Sequence, residues 1–341
     1  MSRTEPRREY RFSFHGLALR YLASSSRLLA SVAPWTRYFH QDDRAGGDGL
    51  TIHFEEVAHR DAVPLSWQAS ARQLFSGTRP AIGSSMRALW HCDVLQDGGR
   101  LIVDVRNQGV LVIDGCRGTA HGFFFNTDTM HEDRLEIFFH VALAELLKRC
   151  GMYTLHATAL EYHGRGVLVG GRSGSGKTTA LLSLLRAGYR YLSDEHPLLW
   201  DSQAGLKVLA APMKVDVSDQ TIAFFPELRD ALTGSLRQGV CKKSFHVEDV
   251  YDHAPGRSCE PAMILFPHVT KMAHSCLEPL SKSQALGFLM PDAPLVYDDE
   301  LAKREFHALS KLVQQTACYR LHFGEDVLDL PKLITPLLER H

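Results

Sequence analysis

The feature that most constrains the fold of this 341-residue chain is one glycine-rich segment, Gly171–Thr178 (GRSGSGKT), which matches the pattern G-x-x-x-x-G-K-[ST] in full. A short apolar strand pattern, Val167–Val169, precedes it, and a helical pattern, Thr179–Arg186, follows it. Glycines let consecutive backbone N–H groups converge on phosphate oxygens, and the N-terminus of a helix adds a positive dipole. The segment therefore predicts a phosphate-binding loop between a strand and a helix of an α/β fold.

The side chains of this loop have predictable roles. Lys177 is expected to reach the β- and γ-phosphates of a nucleotide, and the Thr178 hydroxyl is expected to ligate Mg²⁺. ATP and Mg²⁺ are the predicted cofactors, although no base-recognition motif separates ATP from GTP or pyrophosphate. The predicted nucleotide-binding residues are Gly171, Ser173, Gly174, Ser175, Gly176, Lys177, Thr178 and Thr179.

Two acidic residues follow soon after the loop. Gly188 ends the predicted helix, Tyr189–Leu192 is a short predicted strand, and Asp194 and Glu195 come directly after it. In α/β sheets, ligand-binding groups collect at the carboxyl ends of strands. Because Asp194 follows Lys177 by only seventeen positions, enough for one helix and one adjacent strand, we expect both carboxylates to lie beside the nucleotide.

The same spacing separates classes of phosphate-loop proteins. An ABC-type or motor ATPase places its acidic strand much farther along the chain and carries its own signature elements. The LSGGQ signature is absent, since the nearest segment, Leu232–Leu236, does not match it. An early acidic residue is typical of small-metabolite kinases of the shikimate or gluconate type and of protein kinases of the HPr type, so both classes stay open at this point.

The run from Leu155 to Leu199 resembles the catalytic core of the HPr serine kinase/phosphorylase family and its less characterised relatives. The resemblance extends weakly towards the C-terminus, and the first 130 residues or so carry no match. The matching segments are Leu155-His156-Ala157, the hairpin around His163–Gly166, Ser173–Thr178, Gly188 and Ser193-Asp194-Glu195.

The resemblance implies a role for each residue of the core. Asp194 is the implied general base, which takes the proton from an acceptor hydroxyl, and Lys177 completes the catalytic set. Glu195 is implied to hold Mg²⁺ together with Thr178 and Asp194. His156 is implied to approach the γ-phosphate or to orient Asp194. Phosphoryl transfer requires this combination of positioning, charge neutralisation and a carboxylate that receives a proton.

Two features depart from the family pattern. Glu195 stands where the family often has Asp, and its extra methylene changes the geometry available to Mg²⁺. The segment Pro-Val-Arg-Pro-Gly-Arg-Asn of the bifunctional members is missing, and Ala254–Ser258 matches it only weakly. The chain therefore looks like the branch that includes kinases tailoring ribosomally made peptides, such as lasso-peptide precursors. Neither phosphorolysis nor phosphorylation of HPr itself is expected.

The sequence predicts an α/β protein of two domains. Residues 1–130 are assigned to a mixed α+β N-terminal domain, which is expected to help select or dock the acceptor because it is strand-rich and lacks catalytic motifs. Residues 131–341 are assigned to a P-loop catalytic domain of the HPr kinase C-terminal type.

Hairpin signals predict a strand meander over Ala88–Phe125, and an apolar stripe predicts a helix from about His131 to Arg149.

Four further local predictions bear on the fold. Tyr10–Tyr21 and Tyr153–Tyr162 each have the alternation of a single strand, Gly77–Ser85 is turn-rich and weakly structured, and Asp299–Gln315 has the stripe of a packed helix.

Composition excludes several partners. Lys plus Arg is 38 and Asp plus Glu is 39, so no global positive field draws the chain to nucleic acid or to an anionic membrane. No apolar run is long enough to span a membrane, and the N-terminus is not a secretory signal, so a cytoplasmic protein is expected. The seven cysteines contain no CxxC pair and the eighteen histidines show no recognisable ligand spacing, so no transition metal is predicted.

Four basic residues outside the core remain candidates for the site. Lys214 follows the acidic strand and is placed either at the acceptor or phosphate site or in solvent. Lys242 and Lys243 lie in a glycine-rich neighbourhood, which fits either a basic loop that closes over phosphates or a charged surface turn. Arg257 has the same two interpretations.

The predicted reaction is Mg²⁺-dependent transfer of the ATP γ-phosphoryl group to a hydroxyl, namely a serine of a peptide or small protein. A small-metabolite kinase is the first alternative, although such enzymes usually begin at their phosphate loop. A nucleotide-binding regulator without phosphotransfer is the second, although a pure sensor has no need of a base such as Asp194. Members of the resembling family often assemble into homo-oligomers, but no interface can be read from this sequence, so its oligomeric state stays open. The acceptor itself cannot be named from the sequence.

Overall fold

The structure is a computed structural model that describes residues 8–41, 49–64, 71–80, 89–130, 132–232, 242–253, 255–290 and 298–340. The chain divides into two compact units, Met1–Cys150 and Gly151–His341. Each unit combines helices with a sheet, which confirms the predicted α/β class.

The first unit is built on one sheet whose described strands have the order β3-β1-β2-β4-β9-β8-β7-β6-β5. The antiparallel run from β6 to β9 is the predicted meander, and β4 is parallel to both β2 and β9. The strands are β1 (Arg8–Phe14), β2 (Leu17–Ala23), β3 (His40–Gln41), β4 (Leu50–Glu56), β5 (Arg72–Pro80), β6 (Leu89–Asp97), β7 (Arg100–Val105), β8 (Gly109–Asp114) and β9 (Thr119–Phe124). The helices are α1 (Ser26–Ala30), α2 (Ala33–Thr36) and α3 (Glu132–Arg149).

One local prediction in this unit is wrong, and a second is wrong over its first four residues. Tyr10–Tyr21 is a hairpin rather than one strand, because His15 and Gly16 adopt φ values of 47° and 85° and turn the chain between β1 and β2. The apolar alternation continues on both arms, so the pattern alone does not reveal the turn. Gly77 belongs to β5, which pairs with β6 as far as Pro80, and residues 81–85 lie outside the described residues.

Helix α3 packs on the sheet of the first unit, where it contacts β4, β8 and β9. The contact is aromatic: the ring centroids of Phe124 and Phe138 are 4.8 Å apart, and those of Tyr21 and Phe139 are 5.6 Å apart. All four side chains are buried. The division after Cys150 therefore differs from the predicted boundary at residues 130 and 131, which assigns this helix to the catalytic domain.

The second unit contains a mixed sheet with the order β10-β14-β15-β18-β12-β11-β13, in which β20 also pairs with β18 and β19, and a separate ribbon of β16 and β17. The strands are β10 (Met152–Thr154), β11 (Ala157–Tyr162), β12 (Arg165–Gly170), β13 (Arg190–Ser193), β14 (Leu198–Ser202), β15 (Gly205–Leu209), β16 (Val215–Ser218), β17 (Lys242–Phe245), β18 (Ser258–Val269), β19 (Cys276–Pro279) and β20 (Ala317–Phe323). The helices are α4 (Lys177–Arg186), α5 (Asp219–Phe224), α6 (Lys282–Leu289), α7 (Asp299–Gln315) and α8 (Leu330–Glu339), and α7 has the predicted bounds.

The directions of the strands determine which strand ends meet at the edge of the sheet where the predicted functional residues lie. Strands β12, β18 and β20 are mutually parallel, and β13 runs the same way because both β12 and β13 are antiparallel to β11. The carboxyl ends of these four strands and the amino end of β11 therefore meet at one edge. The predicted strand Tyr153–Tyr162 is divided between β10 and β11, and His156 directly precedes β11. The spacing of Lys177 and Asp194 predicts that the acidic strand β13 lies adjacent to β12, and this is wrong because β11 lies between the two strands.

Two apolar layers cover this sheet. On one side, α4 packs on β11 and β12 and contacts α8. On the other side, α7 packs on β14, β15 and β18, and α6 contacts α7 and β20. Within the described part of the chain, none of the helices has both the length and the apolar character needed to cross a bilayer.

We expect Phe138→Ala to lower the free energy of unfolding of the first unit by about 3–5 kcal/mol, because the change leaves a cavity between α3 and the sheet. Urea denaturation measures the effect. The matched control is Phe306→Ala, since the Phe306 side chain is 50% exposed and its removal is expected to cost less than about 0.5 kcal/mol. Equal losses in the two variants would contradict the described packing of α3.

Candidate functional site

A cavity of about 820 Å³ opens at the edge where the parallel strands end. Ligands of α/β proteins bind at this position because loops that follow the strands supply the binding groups. The residues that follow the four strands and line the cavity are Ser173, Gly174, Gly176, Lys177, Thr178 and Thr179 after β12, Asp194 and Glu195 after β13, Thr270 and Lys271 after β18, and Gly324, Glu325 and Val327 after β20.

The phosphate-binding loop has the backbone conformation that its glycines were predicted to allow. Gly171, Gly174 and Gly176 have φ values of 131°, 83° and 108°, which side-chain-bearing residues rarely adopt. A Cβ atom at Gly176 would also lie 3.1 Å from the Phe323 ring. Helix α4 begins at the next residue, and its N-cap residue, Gly176, has no side chain that could cap the helix. The loop thus presents an uncapped helix N-terminus at the cavity, which is a favourable place for an anion.

The residues present fit both a phosphate group and Mg²⁺. The buried Ser175 hydroxyl has no hydrogen-bond partner within the described part of the chain, so this loop retains an unused donor. Thr178, Asp194 and Glu195 line the same cavity, and their hydroxyl and carboxylate oxygens are the hard donors that Mg²⁺ prefers. All three residues therefore offer oxygen donors at the cavity, and Thr178 and Glu195 are the groups that would hold the metal ion.

Lys177 lies beside His156 at the cavity. Its side chain is buried, its Nζ donates to the carbonyl oxygen of Gly171 at 2.5 Å, and the same Nζ lies 3.4 Å from Nε2 of His156. Burial first, and then the charges of Lys177 and His196, lower the pKa of His156 to about 4. The imidazole is therefore neutral near pH 7, and its Nε2 is an acceptor for the ammonium group.

Asp194 is a buried carboxyl group with a raised pKa. Burial first, and then the neighbouring Glu195 and Asp216 charges, raise the pKa of Asp194 to about 6, against the opposing effects of Thr158 and Lys177. Thr158 on β11 donates its hydroxyl to Oδ1 of Asp194 at 2.5 Å. A carboxyl group with a pKa near the working pH has the properties of a general base.

The end of β13 is fixed by the hydroxyl of Tyr191. This oxygen accepts the backbone N–H of Asp194 at 2.9 Å and donates to the carbonyl of Met213 at 3.1 Å. The next residue, Glu195, has a φ of 81°, a left-handed conformation that costs free energy for a residue with a side chain and that is concentrated at functional sites. The position of Asp194 is therefore set by several hydrogen bonds rather than by a free loop.

The structure brings eight of the predicted site residues to the cavity wall. Gly171, Ser175 and His156 are not among the described residues that line it, although His156 and Gly171 both contact the Lys177 ammonium group. The residues that line it are Ser173, Gly174, Gly176, Lys177, Thr178, Thr179, Asp194 and Glu195. Their individual roles stay predictions.

The four basic candidates have different surroundings. Lys214 and Arg257 are exposed, and neither is among the described residues that line the cavity. Lys243 is also exposed and forms an ion pair with Asp219 at 3.4 Å. The segment that starts at Lys242 is strand β17, paired with β16, rather than a loop, and the Lys242 side chain lies outside the described residues.

Sequence reasoning missed several residues around the cavity, among them Thr270, Lys271 and Asp216. Thr270 and Lys271 follow β18, so the rule that binding groups lie at carboxyl strand ends provides a signal that could have found them. Asp216 on β16 accepts a hydrogen bond from Ser244 at 2.7 Å and has no motif around it.

Similarity to known proteins is found among solved structures. No family model matches the chain, and no curated protein matches it. Among solved structures, the chain is similar to the Hpr(Ser) kinase/phosphatase from Coxiella burnetii, with 16% sequence identity and a TM-score of 0.28. The match covers 55% of this chain and 95% of that one.

The buried Asp194 predicts a pH-dependent difference in stability between the native chain and Asp194→Asn. Because folding raises the pKa of Asp194 from 3.8 to about 6, its contribution to stability is full below about pH 4 and is lost as the pH rises through about 6. The amide is neutral throughout, so the variant should gain up to about 3 kcal/mol relative to the native chain between about pH 4 and about pH 7. Urea denaturation at a series of pH values measures this gain.

The lowered pKa of His156 affects both proteins and cancels in this comparison. Asp252→Asn, which removes an exposed carboxylate, is the matched control and should follow the native profile. A stability difference between the native chain and Asp194→Asn that does not change with pH would contradict the burial argument.

Proposed function

We propose that this chain is an ATP- and Mg²⁺-dependent kinase that transfers the γ-phosphoryl group to a hydroxyl, a serine of a peptide or small protein. The observation that carries the proposal is one cavity lined by both the phosphate-loop lysine, Lys177, and a buried carboxylate of raised pKa, Asp194. A protein that only senses a nucleotide needs the phosphate-binding loop. It does not need a buried carboxylate such as Asp194 in the same cavity, because burying that charge lowers the stability of the fold.

Nucleotide binding is assigned to the loop and to Lys177. The ammonium group donates to the neutral carbonyl of Gly171, and a phosphate oxygen is a stronger, charged acceptor for the same donor. Backbone N–H groups at the start of α4 supply further donors. Thr178 and Glu195 would hold Mg²⁺, which, when bound, neutralises charge on the phosphate oxygens.

Proton transfer is assigned to Asp194. As the acceptor oxygen forms its bond to the γ-phosphorus and the bond from that phosphorus to the bridging oxygen of ADP breaks, Asp194 receives the hydroxyl proton. Thr158 donates to Oδ1, so Oδ2 is the oxygen assigned to this proton. The neutral His156 helps to keep Lys177 at the phosphate loop without adding a second positive charge.

The wall of the cavity supports a peptide acceptor over a small polar metabolite. Phe224 and Val269 are exposed and line the cavity together with Val327, so apolar surface faces the same space as the charged groups. A nucleotide base and an apolar peptide side chain both gain free energy by covering such surface, whereas a sugar-like metabolite does not.

Mass spectrometry tests the proposal directly. The full chain is incubated with Mg²⁺-ATP and the peptides and small proteins encoded beside it, and we expect one phosphate on an acceptor serine. Lys177→Ala should abolish this product because the phosphates lose their positioning charge, whereas the matched control Lys214→Ala, at an exposed lysine outside the cavity, should retain it.

Two other outcomes would contradict the proposed acceptor or the proposed activity. Consumption of ATP with a metabolite extract, without any phosphopeptide, would favour a small-metabolite kinase. Binding of ATP without any consumption would favour a regulator.

Thr158 is expected to act as a positioning residue for the base. Thr158→Val removes the hydrogen bond that lowers the pKa of Asp194, so the acidic limb of the pH dependence of kcat/KM should move to higher pH. Thr158→Ser keeps the hydroxyl and should retain the native profile. A loss of activity that is equal at every pH, with an unmoved acidic limb, would mean that Thr158 has a structural role only.

A further inference from the structure

Three metal-ligating side chains share one face of the sheet in the first unit. His53 and Glu55 are two positions apart on β4, and His121 on β9 is the register partner of His53. Side chains alternate between the two faces of a strand, and the alternate residues Phe54 and Phe124 belong to the buried aromatic layer against α3. His53, Glu55 and His121 therefore lie on the opposite face from α3.

The three side chains are close enough to reach one cation. Nε2 of His121 lies 3.2 Å from Oε2 of Glu55, and the rings of His53 and His121 stack with their centroids 4.4 Å apart. One ligand atom from each residue lies within 4.8 Å of the other two. Ligand atoms of a tetrahedral zinc ion lie about 3.4 Å apart, given bonds of about 2.0–2.2 Å, so small side-chain rotations bring the set to this geometry.

The surroundings favour an ordered but accessible site. The Phe123 ring stacks on the His121 ring with a centroid distance of 4.1 Å, and Phe123 itself is buried in the apolar cluster on this face. The His121 and Glu55 side chains remain 37% and 43% exposed, so an incoming ion and a water molecule have access to the donors.

We propose that His53, Glu55 and His121 bind a divalent transition-metal ion of the Zn²⁺ type and leave one coordination position open to solvent. Two imidazoles and one carboxylate form a borderline donor set that suits Zn²⁺ rather than Mg²⁺, and the open position distinguishes the site from a closed structural zinc site. The site lies in the first unit and is independent of the proposed kinase chemistry, whose residues lie in the second.

Strand register explains why residue spacing did not reveal this set. His121 is 66 positions from Glu55, so no short motif contains all three donors. Only the pairing of β4 with β9 brings them together.

Zinc titration of the full chain tests the site. The chain is first stripped with a chelator, and Zn²⁺ is then titrated by calorimetry in the presence of excess Mg²⁺, which occupies oxygen-donor sites. We expect one zinc ion per chain, bound at least tenfold more weakly by His121→Gln and by Glu55→Gln. Co²⁺ as a second probe should give the visible absorption of a four-coordinate site in the native chain, and this absorption should be lost in His121→Gln and in Glu55→Gln.

The matched control is His322→Gln. His322 also pairs with a carboxylate, with Nε2 lying 2.8 Å from Oε2 of Glu278, but within the described residues that pair has no third donor in the same range. Its variant should bind zinc as the native chain does. Circular dichroism establishes that each variant is folded. Equal zinc affinity in all four proteins, or no stoichiometric binding by the native chain, would overturn the proposal, whereas kinase activity has no bearing on either result.

Discussion

The direction of strand β11 is the constraint on which the candidate site depends. This strand lies between β12 and β13 and is antiparallel to both, so its amino end meets the carboxyl ends of its neighbours. His156 precedes β11 and lies next to Lys177, while Thr158 reaches Asp194 from the same strand. If β11 ran parallel to β12 and β13, its carboxyl end would lie at this edge instead. His156 would then not lie next to Lys177, and Thr158 would not reach Asp194.

The electrostatics of the site follow from this placement. Lys177 and Asp194 are each only 7% exposed, so burial opposes the charge of both groups. Burial keeps His156 neutral and raises the pKa of Asp194 to about 6, whereas the Thr158 hydroxyl opposes that rise. If the chain is the proposed kinase, this arrangement holds a cation for phosphate and a base for a hydroxyl in fixed positions before either ligand arrives, which is the form of preorganisation that phosphoryl transfer requires.

Features encoded locally could be predicted from the sequence, and those set by strand pairing could not. The loop from Gly171, helix α4 and the acidic end of β13 each have a continuous signal of residue types, and α7 has a complete apolar stripe. The intervening strand β11, the Thr158 contact and the meeting of His53 with His121 depend on register between distant segments. The packing of α3 also could not be predicted, because the apolar stripe of α3 predicts a helix but does not identify the sheet that the helix covers.

The most direct test of the proposed role of Asp194 compares binding with turnover in Asp194→Asn. The affinity for Mg²⁺-ATP and the rate of phosphoryl transfer to the acceptor are measured on the same preparation. If Asp194 is the base, the rate falls by about 10²–10⁴-fold while the affinity stays within about threefold of the native value, because the phosphate loop is intact. Transfer at the native rate would contradict the assignment of Asp194 as the base and the proposal that this edge of the sheet is a catalytic site.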